Sequence, residues 1–238
     1  MRPALEGSGQ DGEVVYLPEL VYDWRNLLVR EVRRKAIHLS GLSVPLGLIF
    51  LGRTATAVAI AMVLALSLFL EVQRLRGRIS LPEVREHEKT RVASYIYYMA
   101  GCLLTVLLFP KMIALVAILF LALGDTVSGL AGSMIRDCDV RRYPADLPGA
   151  PSSGAGAINW RIKPMPVLAA TFFACILIAI LSHPYTGLQW PVYLCGAAAA
   201  AFADGVAIMI AGHSLDDNFS IPVLSGAVMS GAAWALAA

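Results

Sequence analysis

Charge is what this chain has least of. Only 15% of its 238 residues are Asp, Glu, Lys or Arg, where a soluble domain carries about a quarter. The mean hydropathy is correspondingly high, +0.67. Cysteine is sparse as well: Cys102, Cys138, Cys175 and Cys195 form no CxxC pair, so structural thiols are expected rather than a zinc site or a disulfide framework. The chain contains no GxxxxGK[ST], which excludes a P-loop, and no kinase-type GxGxxG loop. No signal peptide is expected ahead of the apolar runs. Residues 1–24 are polar, acidic and glycine-containing, and are expected to form a flexible cytosolic tail.

What the chain does have is long apolar runs. Seven of them, at about 36–52, 54–72, 93–109, 112–132, 165–182, 190–211 and 220–238, match the length that crosses a bilayer. Helices satisfy the backbone polar groups within each span. The expected fold is therefore all-α, a polytopic membrane bundle of about seven transmembrane helices. Gly52-Arg53 alone joins the first two, which predicts a tight helical hairpin.

The basic residues decide the orientation. Six precede the first span, six follow the second and five follow the fourth, so 17 of 19 fall on one side. Only Arg53 and Lys111 lie opposite. The positive-inside bias then predicts a cytosolic amino terminus and an outer carboxyl terminus. None of the 17 acidic residues falls in an outer loop, and apart from Glu71 at the end of the second run only Asp125 and Asp204 are inside spans. Both signs on one face, with carboxylates buried beneath it, point to a polar site at the cytosolic surface.

Six stretches build that site. Glu31, Arg34, Lys35 and His38 follow the spacing i, i+3, i+4, i+7 and share one helical face. An interfacial helix reaching lipid headgroups explains the basic residues, but not a histidine within the apolar run. Glu71 and Arg74 close the second span, spaced as an i,i+3 ion pair or as part of a binding surface. Asp125, in LGDTVSGLAG, and Asp204, in a DG pair, lie at matching depth in spans four and six. A carboxylate at such depth must be paired, protonated or bound to a cation; spacing leaves open whether the two face each other. The connection 133–164, with YPADLPGAPSSGAGA at its centre, reads as a loop and ends in Arg161 and Lys163. Finally, Asp216-Asp217-Asn218 enters the seventh span. Asn218 or Ser220 would serve as a cap with Pro222 in the first turn, yet capping needs one such residue. Adjacent oxygen ligands are what Mg²⁺ beside phosphates requires.

The three elements Glu31-x-x-Arg34-Lys35-x-x-His38, Gly124-Asp125 and Asp216-Asp217-Asn218 with Ile221-Pro222 resemble the polyprenol, dolichol, phytol and diacylglycerol kinases. Those enzymes are polytopic, many use CTP, and they belong to a wider group with the phosphatidate cytidylyltransferases. The long signature of CDP-diacylglycerol synthases is absent. Relatives carry Lys and then Glu-Gly-Ser at the fifth span; here only Lys163 corresponds, and Asp204 stands where relatives have Glu. The resemblance implies one transmembrane catalytic domain over 25–238, with cytosolic loops 73–92, 133–164 and 212–219. It implies phosphate binding by Glu31, Arg34, Lys35, Arg74 and Lys163, and Mg²⁺ held by Asp216, Asp217, Asn218 and Asp204. Asp125 or His38, aided by Lys35, would act on the lipid hydroxyl, with Asp125 preferred as base. The implied partners are CTP ahead of ATP and a membrane lipid alcohol, with no nucleic acid. The implied location is a prokaryotic cell membrane, or the endoplasmic reticulum in a eukaryote. Three other readings compete: a phosphatidate cytidylyltransferase-like enzyme, a small transporter using Asp125 and Asp204, and a degenerate member that only binds lipid or a partner.

Overall fold

A computed structural model of the chain describes residues 39–79, 92–134, 162–206, 209–210 and 213–237. The tail 1–24, the Glu31–His38 stretch and most of the 73–92 and 133–164 connections lie outside the described residues. The described elements are α1 (Ser43–Phe50), α2 (Gly52–Leu75), α3 (Ser94–Leu108), α4 (Lys111–Leu119), a π-helical turn (Phe120–Gly124), α5 (Asp125–Met134), α6 (Met165–Thr186), α7 (Trp190–Gly205) and α8 (Asp217–Ala237). A two-residue hairpin, β1 (Met209–Ile210) against β2 (His213–Ser214), lies between α7 and α8.

Each apolar run of the sequence contains a helix. Four are long and apolar enough to cross a membrane: Gly52–Leu75, Lys111–Gly132, Met165–Thr186 and Asp217–Ala237. Apart from the short hairpin, the described residues form an essentially all-helical protein with membrane-crossing character. Successive helices run in opposite directions, so one end of the bundle carries Leu75, Ser94, Met165, Gly205 and Asp217. Arg53 and Lys111 lie at the far end. There Arg53 donates from Nε to Val106 O at 2.7 Å and from its guanidinium to Leu107 O. These bonds supply partners to terminal carbonyls that α3 cannot satisfy itself.

The helix made of α4, the π turn and α5 runs through the centre. Ile113 to Ile118 and Phe120 to Ala122 are all buried, against α1, α3, α6 and α8. A helix apolar all round belongs in an interior. The outer helices show the opposite. Met62, Leu66 and Phe69 on α2, Phe173 and Leu181 on α6, and Trp234 on α8 are each more than half exposed. Apolar side chains outside as well as inside are what contact with lipid requires.

Close packing depends on small residues at defined points. A Cβ on Gly101 of α3 would lie 2.9 Å from the Asn218 carbonyl oxygen and 3.0 Å from Phe219 Cα. Both obstacles are backbone, which cannot swing aside as a side-chain tip can. Gly101→Ala is expected to cost about 1–3 kcal/mol through overpacking, seen as a lower melting temperature in detergent. An unchanged melting temperature would show that α3 and α8 separate freely. The Ser225-Gly226 pair of α8 is a second such point, since Ser225 is buried and a Cβ on Gly226 would collide with Phe109. A Cβ on Gly231, about one turn and a half further along, would meet nothing within 4 Å.

Two helix ends differ from expectation. The sixth run stops being helical at Gly205, not 211, because Val206 bridges to Ile162 and Lys163 N–H donates to Gly205 O at 2.8 Å. The last helix begins at Asp217, three residues before the run itself. Its cap is Asp216, neither Asn218 nor Ser220: Asp216 Oδ1 accepts the Asn218 N–H at 3.0 Å. Pro222 consequently falls inside the helix, beyond its first turn.

Candidate functional site

Four elements bring carboxylates and one ammonium together at the end of the bundle where α7 stops and α6 and α8 start. The π turn sits directly before Asp125, whose N–H bonds back to Leu121 O and Phe120 O. Such turns occur frequently at functional sites. On the opposite wall Asp204 occupies the last turn of α7, and Asp217 opens α8. One carboxylate oxygen from each of Asp125, Asp204 and Asp217 lies within 4.8 Å of the others. Asp125 and Asp204 are buried and Asp217 is half-buried. The two span carboxylates do face each other.

Lys163, immediately before α6, forms an ion pair with Asp204, Nζ to Oδ1 at 2.5 Å. Its Nζ also donates to Ser128 Oγ at 3.2 Å. Ser128 and Thr171 in turn donate to Asp204 Oδ2, at 2.5 Å and 3.1 Å. Both hydroxyls are buried.

Close carboxylates repel one another, so they keep a proton or bind a cation. Among the described residues, three formal negative charges here meet the ammonium of Lys163. An all-oxygen donor set of this kind suits a hard divalent cation such as Mg²⁺ or Ca²⁺. Beside it, Asn218 is buried with its Oδ1 unpartnered, one residue along from Asp217.

The other candidate residues fall as follows. Asp216 does not join the cluster: besides capping α8 it accepts Ser94 Oγ at 3.0 Å, tying α8 to α3. The acidic pair thus divides its work, one residue building the helix and the other entering the cluster. Arg74 holds Glu71 in a bidentate pair, Nε to Oε2 at 2.8 Å and Nη2 to Oε1 at 2.6 Å. Glu71 also accepts Ala93 N–H at 2.8 Å and Tyr95 Oη–H at 2.7 Å. This buried knot pins the end of α2 to the start of α3, which is the ion-pair alternative for these two residues. Glu31, Arg34, Lys35 and His38 lie outside the described residues. No family model, no curated protein and no solved structure matches this chain. The site therefore stands on its own geometry.

Ser128 and Thr171 were not among the residues singled out from sequence. Ser128 had a usable signal, since it lies three residues beyond Asp125 and so on the same helical side. Thr171 had none, being one hydroxyl in an otherwise apolar run.

Proposed function

We propose that the protein is an integral-membrane kinase that transfers a phosphoryl group from a nucleoside triphosphate, CTP ahead of ATP, to a lipid alcohol. The observation that carries this reading is the convergence of Asp125, Asp204, Asp217 and Lys163 at one end of a bundle of apolar helices. Phosphoryl transfer asks a protein mainly for positioning and for charge stabilisation. The residues present fit Mg²⁺. Asp125 and Asp217 would hold it, with Asp204 at its border, and when bound it neutralises charge on the phosphates. Asp125 then serves as a ligand, not as the base that the sequence alone favours. Lys163 supplies a cation for the phosphates, while the apolar outer faces of the helices accept the lipid tail.

Seven spans with the amino terminus in the cytosol complete the reading. Of the described spans outside the first, α3 has 15 residues and α7 has 16, about 22–24 Å at 1.5 Å each. That is short of a hydrocarbon core of about 30 Å. α7 is cut short at the site end, stopping at Gly205, and on this reading the polar cluster recesses the aqueous face there. α5 continues nine residues past Asp125, about 14 Å, and walls the recess. A site at helix ends, open to one face, suits a membrane-surface enzyme better than a midplane transport path.

The test is transfer of labelled γ-phosphate from CTP or ATP to prenols, phytol and diacylglycerol by purified protein with Mg²⁺. Product that disappears in Asp217→Ala is expected. Absence of product with every alcohol and both nucleotides, from folded protein, overturns the reading.

A further inference from the structure

Asp204 is bonded differently from an open cation ligand. Its side chain is fully buried, and that of Lys163 is 17% exposed. A carboxylate offers about four lone-pair positions. Lys163 Nζ, Ser128 Oγ and Thr171 Oγ1 occupy three of them at 2.5, 2.5 and 3.1 Å. A cation drawn to this carboxylate would meet the ammonium already there and be repelled by it.

Lys163 is held from its backbone as well. Its N–H donates to Gly205 O at 2.8 Å, and Ile162 bridges to Val206. Pro164, with φ of −54°, then caps α6 and fixes the direction of the chain. Backbone and ammonium are therefore both tied to the last turn of α7. A long flexible side chain loses rotamer entropy when immobilised, so it is held in one place only where several partners fix it. Two side-chain partners, Asp204 and Ser128, its own N–H bond to Gly205 and the bridge of the neighbouring Ile162 hold Lys163 in a single place.

We propose that Asp204 is a counter-ion that sets the position of Lys163, with Ser128 and Thr171 as further positioning residues, and that the Lys163 ammonium is the group that receives phosphate beside a cation held by Asp125 and Asp217. This assignment rests on the phosphoryl-transfer reading of the site. It makes cation affinity and anion affinity separable properties of different residues.

The experiment measures Mn²⁺ binding by electron paramagnetic resonance, and CTP and ATP binding by calorimetry, on purified full-length protein. Asp204→Asn and Thr171→Val are expected to keep Mn²⁺ affinity within about threefold, because neither removes a cation ligand. The same variants should lose nucleotide affinity, about tenfold or more for Asp204→Asn and several-fold for Thr171→Val, following Lys163→Met. Lys163→Arg should recover part of the loss, since it keeps the charge. Loss of Mn²⁺ binding in Asp204→Asn as large as in Asp217→Asn would overturn the assignment. So would wild-type nucleotide affinity in both positioning variants while Lys163→Met fails. Should Asp204→Asn not fold, Thr171→Val and Ser128→Ala decide the same comparison. The kinase reading fails separately, if both ligands bind with the expected split and no lipid alcohol is phosphorylated. Wild-type protein that binds neither ligand overturns both.

Discussion

Asp125→Asn is expected to abolish phosphoryl transfer and to weaken Mn²⁺ binding by more than about a hundredfold. Groups that hydrogen-bond directly to a metal's ligands typically change its affinity 10- to 100-fold, and Asp125 lies in the proposed ligand set itself. Asparagine keeps the volume and one oxygen but removes the charge, so the effect isolates electrostatics. The loss should not extend to folding. Two carboxylates instead of three within 4.8 Å repel less, so the melting temperature without added cation should hold or rise. Added Mg²⁺ should raise the melting temperature of the wild type by mass action, and leave that of the variant almost unchanged. A variant that binds Mn²⁺ as the wild type does would remove Asp125 from the ligand set.

Glu71→Ala is expected to have the largest effect on stability, about 3–5 kcal/mol. The carboxylate takes four hydrogen bonds, two from Arg74 and one each from Ala93 N–H and Tyr95 Oη–H. Removing it takes from the buried guanidinium the carboxylate of this bidentate pair, and from Ala93 N–H and Tyr95 Oη–H the acceptor they share here. The connection between α2 and α3 should loosen first, because the knot closes it. Thermal unfolding in detergent would report a lower midpoint. Faster proteolysis between residues 76 and 93 would locate the damage. Glu71→Gln should lie between, since an amide oxygen can still accept from Ala93 but carries no charge for Arg74. A midpoint within one degree of wild type would show that the knot contributes nothing net.

The membrane-crossing helices were legible because a span is written in composition, and the bilayer sets its length. Helix ends were less so. The stop at Gly205 depends on Ile162 and Lys163, more than 40 residues earlier, meeting the chain there. Local signals cannot carry a contact at that separation. At α8 the local signal was present but ambiguous: three consecutive residues could cap, and Asp216 does so because Ser94 of α3 holds its other oxygen. The site was legible in part for the same reason. Asp125, Asp204, Asp217 and Lys163 stood out because charge is scarce in this chain. Ser128 and Thr171 did not, because hydroxyls are common in apolar helices and bond their own backbone, as Thr171 Oγ1 also does to Val167 O at 3.0 Å.

The π turn before Asp125 has a meaning for descent as well as for geometry. Such a turn holds one residue more than the α-helical turn it replaces. Removing one residue between Phe120 and Gly124 would wind α5 back by about 100° relative to α4. The hydropathy profile would scarcely register it, and the span would still be long enough to insert. Asp125 and Ser128 would swing together off the wall facing Asp204 and into the packing around Cys175 or lipid. Chemistry here hangs on the reading frame of a single helix, and a one-codon deletion would leave a membrane protein of the same shape without its site.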